Sequence, residues 1–314
     1  MRRFSGATTS LSCGVLAFML VVACGERPAR SVAHEAGEPA SPPSSVALPE
    51  PPPNDAPPTA PAPPRGPADP TTEARLALAI PPREHAPEAP PAGWCGETAI
   101  QEGLLHLGVW APQRIINKAG RPTHPDLYSP DIPVALSELG VRHTFFAGVR
   151  GDGSFEQWIR KAIDAGDPVL AGVKILPTAH PEWGLDHFVL VVGYGDKGLL
   201  VNTTWGHRLW VADTTTPGLS FKNAFYAIRL GGVSVAGNAR AARLALVEET
   251  AANVKLRVTC AGTAVRIEQR RGRLDERPVW SEDVSASAGK DGVTKELTAP
   301  ADQVARFQCV PLPP

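Results

Sequence analysis

A long tract rich in proline and alanine precedes the part of this chain that can fold. More than half of the chain's 34 prolines lie between Glu26 and Ala92, with few aliphatic side chains among them. Such a composition cannot bury enough apolar surface to offset the conformational entropy lost on folding. Residues 24–92 are therefore predicted to be a disordered tether. The roughly 220 residues that follow suffice for one medium and one small domain.

One segment of the tether has a different composition. Residues 74–80 read Ala-Arg-Leu-Ala-Leu-Ala-Ile and are mainly aliphatic. This segment either docks on the folded part or forms a transient helix within the tether, and the sequence leaves both alternatives open. A proline-rich linker extends by ~3.1 Å per residue, so the tether can span on the order of 100–200 Å.

The N-terminus has the pattern of a secretory signal. Arg2 and Arg3 precede an apolar stretch, residues 11–23, that is too short to span a membrane. Val-Val-Ala-Cys at 21–24 resembles the lipobox of bacterial lipoproteins, which implies a lipid on Cys24 and a membrane anchor. An ordinary signal peptide with an incidental cysteine is the alternative. The residue after Cys24 is Gly25 rather than an aspartate. By resemblance to bacterial lipoproteins, this implies the outer membrane of the cell envelope.

A cysteine stands at the start of the first predicted helix. Ile100, Leu104 and Leu107 recur at helical spacing after Cys95, and Gly108 is a typical stop. The free N–H groups and the dipole of a helix N-terminus stabilise an anion, so a lowered pKa and a reactive thiolate are expected at Cys95. This is the chemistry of a nucleophile.

Two apolar runs further along the chain each carry polar residues at one end. His187 opens the run His-Phe-Val-Leu-Val-Val-Gly-Tyr-Gly, which predicts a buried strand, and is the best candidate for a base. The second run, residues 199–206, contains Asn202 just before two threonines and Trp-Gly. Cysteine, histidine and amide thus follow one another along the chain.

These three motifs, Trp-Cys-Gly at 94–96, the run from His187 and Val-Asn-Thr-Thr-Trp-Gly at 201–206, resemble those of papain-like cysteine peptidases. The nearest branch is that of the bacteriocin-leader, or double-glycine, peptidases, and the resemblance covers residues 93–232. It implies an α+β fold with a helical N-terminal part and an antiparallel sheet. It also implies that Cys95 attacks a peptide carbonyl, that His187 carries the proton and that a third residue orients the imidazole. No cofactor or metal is implied.

Two positions depart from the family pattern. The third residue lies about sixteen positions after the histidine in the family, which is Thr203 here. We nevertheless expect Asn202 in that role, because an amide accepts the imidazole N–H better than a buried threonine. The family's oxyanion glutamine, six residues before the cysteine, is replaced by Ala89. Losing one such donor lowers turnover by ~10²–10³.

The departures leave three functions open. The first is an extracytoplasmic peptidase that acts on peptide or protein substrates. The second is a catalytically inactive papain-like binding lipoprotein. The third is an amidase or acyltransferase that uses the same Cys-His pair on cell-wall peptides, because such a pair can transfer any acyl group.

The C-terminal residues 233–314 predict a different kind of domain. Its first part, to Thr250, is rich in alanine and is expected to be a linker helix, whereas alternating segments follow at 254–260, 263–268 and 303–309. They predict a small β-sandwich-like module that either recognises a partner or packs on the catalytic domain.

Cysteine number and charge limit the remaining alternatives. Cys13 lies in the signal and Cys24 takes the lipid, so Cys260 and Cys309 can pair and Cys95 alone stays free. The net charge of −1, with no basic block among aromatics, gives no sign of nucleic-acid binding. The histidines lack the spacing of a metal site.

Overall fold

Four α-helices and three antiparallel sheets make up the part of the chain described by this computed structural model. It describes residues 70–91, 93–149, 153–175, 185–211, 219, 221, 224–271, 277–287 and 292–313. The signal, Cys24 and the tether up to residue 69 lie outside the described residues. No described helix combines the length and the apolar character needed to cross a membrane.

The helices occupy the first half of the folded part, as the sequence predicts. Their bounds are α1 (Cys95–His106), α2 (Gln113–Gly120), α3 (Asp131–Glu138) and α4 (Ser154–Asp164). Helix α1 is central, and Ile100 and Leu104 are almost fully buried. A Cβ at Gly103 would lie 2.3 Å from Leu230 Cδ1, so a glycine at this position lets α1 approach the sheet closely.

The largest sheet carries the candidate site. Its strands follow the order β3 (Val141–Phe145), β8 (Ala227–Val233), β4 (Val169–Val173), β5 (His187–Gly195), β6 (Gly198–Asn202) and β7 (Arg208–Val211). Leu190 of β5 belongs to the apolar cluster around α1, and Val189 belongs to the cluster around α4. Because both faces of β5 are covered, its sequence is a continuous apolar run rather than an alternating one.

The C-terminal residues form two smaller sheets. One contains β10 (Arg243–Glu249), β11 (Asn253–Ala261) and β14 (Gly292–Pro300). The other contains β13 (Trp280–Ser285), β12 (Ala264–Arg271), β15 (Ala305–Pro311) and β2 (Val109–Trp110), with β9 (Arg240–Ala241) beside β15. Leu105 and Trp110, from the helical part, belong to the same core cluster as the module residues. The module therefore packs directly on α1 and β2.

The disulfide expected in this module is present. Cys260 of β11 and Cys309 of β15 are joined across a sequence separation of 49 residues. It links the two smaller sheets through their shared core, where both cysteines are buried. Cys95 is the free cysteine among the described residues.

The prediction of a linker helix between Val233 and Thr250 is wrong. The structure has β9 and β10 there, and Leu244 and Leu246 pair with Val258 and Leu256 of β11. The alternating leucines match the two-residue repeat of a strand, so pairing with β11 outweighs the helix preference of the alanines.

The prediction that the tether is disordered is also wrong for its last part, from residue 70 onward. Residues 70–73 form a 3₁₀ turn, and β1 (Leu76–Ala77) pairs with Tyr194 and Gly193 of β5. Ile80 is 1% exposed in the core around α1. Of the two alternatives left open for the aliphatic segment, docking is the one observed. The core supplies the apolar contacts that the segment's own composition lacks.

The mixed helix and sheet class, with largely antiparallel sheets, is confirmed. The expected boundary after residue 232 falls at the end of β8. The division into a domain at 93–232 and a module at 233–314 stays a prediction.

Candidate active site

Cys95 is the first residue of α1 and faces the beginning of β5. No side chain caps the first turn of this helix, whose N-cap residue is Trp94. The preceding Gly93 has φ +84°, a left-handed conformation that favours glycine. Backbone N–H groups of Phe188 and Gly96 hydrogen-bond the Cys95 thiol. The cysteine therefore lies beside the strand that His187 opens.

The thiol of Cys95 has a high pKa, contrary to the thiolate expected from the sequence. The pKa of Cys95 is raised to about 12, mainly by burial and to a smaller extent by the carboxylates of Glu97 and Asp126. The hydrogen bonds from the Phe188 and Gly96 backbone act in the opposite direction but do not outweigh burial. Cys95 is therefore a neutral thiol in the unliganded protein at neutral pH.

His187 is held by the turn that follows β6. Its Nε2 lies 3.1 Å from the carbonyl oxygen of Thr203 and 3.3 Å from Oγ1 of Thr204. The ring of Trp205 stacks on the imidazole with 4.6 Å between the ring centroids. A carbonyl oxygen only accepts hydrogen bonds, so Nε2 carries the proton. In the neutral tautomer, Nδ1 is then the basic nitrogen.

Burial keeps His187 neutral. The residue is 5% exposed, and its pKa is lowered to about 4, chiefly by desolvation. The imidazole is therefore able to accept a proton at neutral pH. Within the described residues the structure records no hydrogen bond between the His187 imidazole and the Cys95 thiol. The two side chains therefore lie at the beginning of β5 without a direct hydrogen bond between them.

The expected orienting role of Asn202 is wrong for this structure. Its Nδ2 donates to the carbonyl oxygen of Ile80 at 3.0 Å, and its Oδ1 accepts from Arg208 Nε at 3.1 Å. Neighbouring strand residues face opposite sides. Asn202 therefore faces the docked N-terminal segment, and Thr203 meets His187 through its main chain.

That N-terminal segment, which we call the strap (residues 80–86), passes beside the site. The N–H of Gly206 donates to the carbonyl oxygen of Arg83 at 3.0 Å, and Arg83 N–H donates to Glu102 Oε1 at 2.7 Å. Ala86 N–H donates to Gln113 Oε1 at 2.8 Å. The strap is thus fixed to the turn after β6, to α1 and to α2.

The strap brings a second histidine, His85, to the site. A Cβ on Gly93 would lie 2.3 Å from His85 Cε1, so the ring rests directly against the Gly93 backbone. His85 Nε2 is buried and has no hydrogen-bond partner among the described residues. The sequence analysis missed His85 because it lies in the proline-rich tract. A lone histidine there carries no motif that could have indicated the contact.

Comparisons with models of known protein families, with curated proteins and with solved structures found no match for this chain. Across the described ranges, no group of three or more His, Cys, Asp or Glu side chains is placed to hold a metal ion.

Proposed function

We propose that the protein is a cysteine peptidase with a papain-like fold, nearest the double-glycine branch, in which Cys95 is the nucleophile and His187 the base. One arrangement carries the proposal. The thiol lies at the N-terminus of a buried helix beside β5, and the Thr203 carbonyl holds His187 so that Nδ1 is its basic nitrogen.

The chemistry starts from a neutral pair. As the sulfur of Cys95 attacks the carbonyl carbon, its proton passes to His187 Nδ1, and a tetrahedral intermediate forms. His187 then gives the proton to the leaving amine, so that the C–N bond breaks and a thioester with the acyl part of the substrate remains. Water hydrolyses this thioester with His187 as base. The Thr203 carbonyl stabilises the imidazolium that forms between these steps.

We also propose that the enzyme works outside the cytoplasm, anchored through a lipid on Cys24. The disulfide between Cys260 and Cys309 supports this compartment, because structural disulfides persist in oxidising environments. The tether from Cys24 would then hold the catalytic part at a distance from the bacterial outer membrane. Its substrates would be peptides or proteins in the cell envelope.

Two observations favour an inactive binding protein as the second candidate. Ala89 replaces the expected oxyanion glutamine, and the pKa of Cys95 is raised to about 12. A binding protein on this scaffold would not need an ionisable thiol.

Cleavage of a peptide library that includes Gly-Gly sequences tests the proposal. We expect the mature protein to cleave a subset of peptides, and expect Cys95→Ala and His187→Ala to abolish cleavage. His143→Ala is the matched control, since His143 lies on β3 and its Nδ1 contacts the Val141 carbonyl oxygen. Cleavage that survives in Cys95→Ala, or no cleavage and no thioester by the wild type, would rule the peptidase out.

A further inference from the structure

His85 lies against the residues that lead into the nucleophile. Its Cε1 and Nδ1 are 2.3 Å and 2.5 Å from where a Cβ of Gly93 would be, so only a glycine leaves room for the ring. Gly93 also needs its positive φ to bring the chain into α1. The same glycine thus serves the entry into the helix and the approach of His85.

The residues on both sides of His85 are held in place, and on the C-terminal side Ala86 N–H donates to Gln113 Oε1 at 2.8 Å. Glu84 forms an isolated β-bridge with Trp205, and the Glu84 carbonyl oxygen accepts from Gln113 Nε2 at 2.9 Å. Trp205 in turn stacks on His187. The residue before His85 is therefore tied to the turn that holds the base, and a charge on His85 is felt at His187.

One nitrogen of the His85 ring has no hydrogen-bond partner among the described residues. Nε2 is shielded from solvent and has no partner in the described part of the chain, although a buried polar nitrogen normally has one. Burial lowers the pKa of His85, so the ring is neutral at pH 7 and carries a single N–H.

We propose that His85 is a catalytic residue whose Nε2–H donates a hydrogen bond to the carbonyl oxygen of the scissile bond. The inference rests on the proposed peptidase function. When the C–S bond forms, the π electrons of the carbonyl move to its oxygen, and the thiol proton moves to His187. His85 and the backbone N–H of Cys95 together stabilise that oxygen. His85 thus takes the role for which the chain lacks a glutamine at Ala89.

Two reactions of Cys95 separate this role from others. Iodoacetamide alkylates sulfur by displacing iodide from a saturated carbon, so no oxyanion develops. The aldehyde N-acetyl-glycyl-glycinal adds the thiol across its carbonyl, and the sulfur proton ends on the former carbonyl oxygen in a hemithioacetal. Protection of Cys95 from iodoacetamide by this aldehyde, followed by mass spectrometry of the Cys95 peptide, measures the stability of the adduct.

We expect His85→Ala to lower kcat by ~10²–10³ and to weaken protection by the aldehyde, with the alkylation rate of the free enzyme unchanged. His85→Gln supplies a side-chain N–H and should restore most of both. His143→Ala is the control and should match the wild type in all three measurements.

Three results would overturn the inference. If the wild type is active and His85→Ala matches it both in peptide cleavage and in protection by the aldehyde, His85 donates no hydrogen bond to the reacting oxygen. A His85→Gln variant as impaired as His85→Ala would show that His85 carries a proton rather than donating a hydrogen bond. If wild-type Cys95 neither cleaves peptides nor forms the adduct, the proposed function fails first and the role of His85 with it.

Discussion

The Nε2 of His187 lies 3.1 Å from the backbone carbonyl oxygen of Thr203, so a main-chain acceptor holds the imidazole. Every residue type has this carbonyl, and its position depends on the backbone of the turn after β6. Thr204 in that turn has φ 69°, a left-handed conformation uncommon for a β-branched residue. The orientation of the base therefore depends on the conformation of this turn more than on any one side chain.

Asn202 and Thr203 are expected to matter in different ways. Asn202→Ala removes one of the two donors to the Ile80 carbonyl oxygen, the other being Arg208 Nη2, and removes the acceptor of Arg208 Nε, so we expect a loss of about 1–3 kcal/mol in the free energy of unfolding. Thr203→Ala keeps the carbonyl that binds His187 and should leave kcat nearly unchanged. Urea unfolding and peptide cleavage check the two variants. Loss of cleavage in Asn202→Ala at unchanged stability would restore its orienting role.

The disulfide is expected to stabilise the C-terminal sheets substantially. Its sequence separation of 49 residues corresponds to about 4 kcal/mol in the chain-entropy account. The double variant Cys260→Ser, Cys309→Ser should therefore unfold at a much lower urea concentration than the oxidised protein. The wild type under reducing conditions is the control, and it should behave like the double variant. Equal midpoints for oxidised protein and double variant would contradict the prediction.

Lipid attachment at Cys24 gives a prediction for the N-terminus. Palmitate supplied to a bacterial host should label the wild type, and Cys24→Ser should lose the label and move to a soluble fraction. Cys13→Ser is the matched control, because Cys13 lies in the segment expected to be removed. Label that persists in Cys24→Ser would remove the lipoprotein interpretation.

Local patterns predicted the main elements of the fold. The helical spacing after Cys95 and the apolar run from His187 gave α1 and β5, because burial of a helix face and of a two-sided strand each leaves a regular pattern in sequence. The disulfide followed from the number of cysteines left for pairing. These features depend on neighbours in sequence or on composition.

The errors came from long-range contacts. Residues 76–77 become a strand because β5 extends beyond its pairing with β4 and can pair there at Gly193 and Tyr194, and β10 forms because β11 lies beside it. In the site, Asn202 and His85 acquire their surroundings from the strap, which joins residues over a hundred positions apart, as in the Asn202–Ile80 pair with its separation of 122. Composition alone marks the strap as a tether, so its contacts were not predictable.

The reactivity of Cys95 should increase with pH. Because burial and two carboxylates raise its pKa to about 12, the thiolate fraction is small at neutral pH and grows about tenfold per pH unit. Alkylation by iodoacetamide should therefore be slow near pH 7 and rise steadily up to pH 10. The lowered pKa expected from the sequence would instead give fast alkylation with little pH dependence down to about pH 6. A flat profile between about pH 6 and pH 8 would support that earlier expectation and a preformed ion pair.

Glu97 gives the sharpest test of why the thiol is neutral. Its Oε1 accepts from Asn117 Nδ2 at 2.7 Å and from the Leu127 N–H at 3.0 Å, and the amide oxygen of a glutamine can accept both bonds. Burial raises the pKa of Glu97 to about 7, so its negative charge acts on Cys95 above that pH. Removing the charge should lower the pKa of Cys95.

We therefore expect Glu97→Gln to alkylate several-fold faster than the wild type above pH 7, with little difference below about pH 6, where the glutamic acid is already neutral. The measurement is the iodoacetamide rate of Cys95 as a function of pH. Glu138→Gln is the matched control, since Glu138 is an exposed glutamate of α3 paired with Arg121. An equal acceleration at all pH values would indicate that the substitution opens the site, because a charge effect must disappear when the carboxyl is protonated.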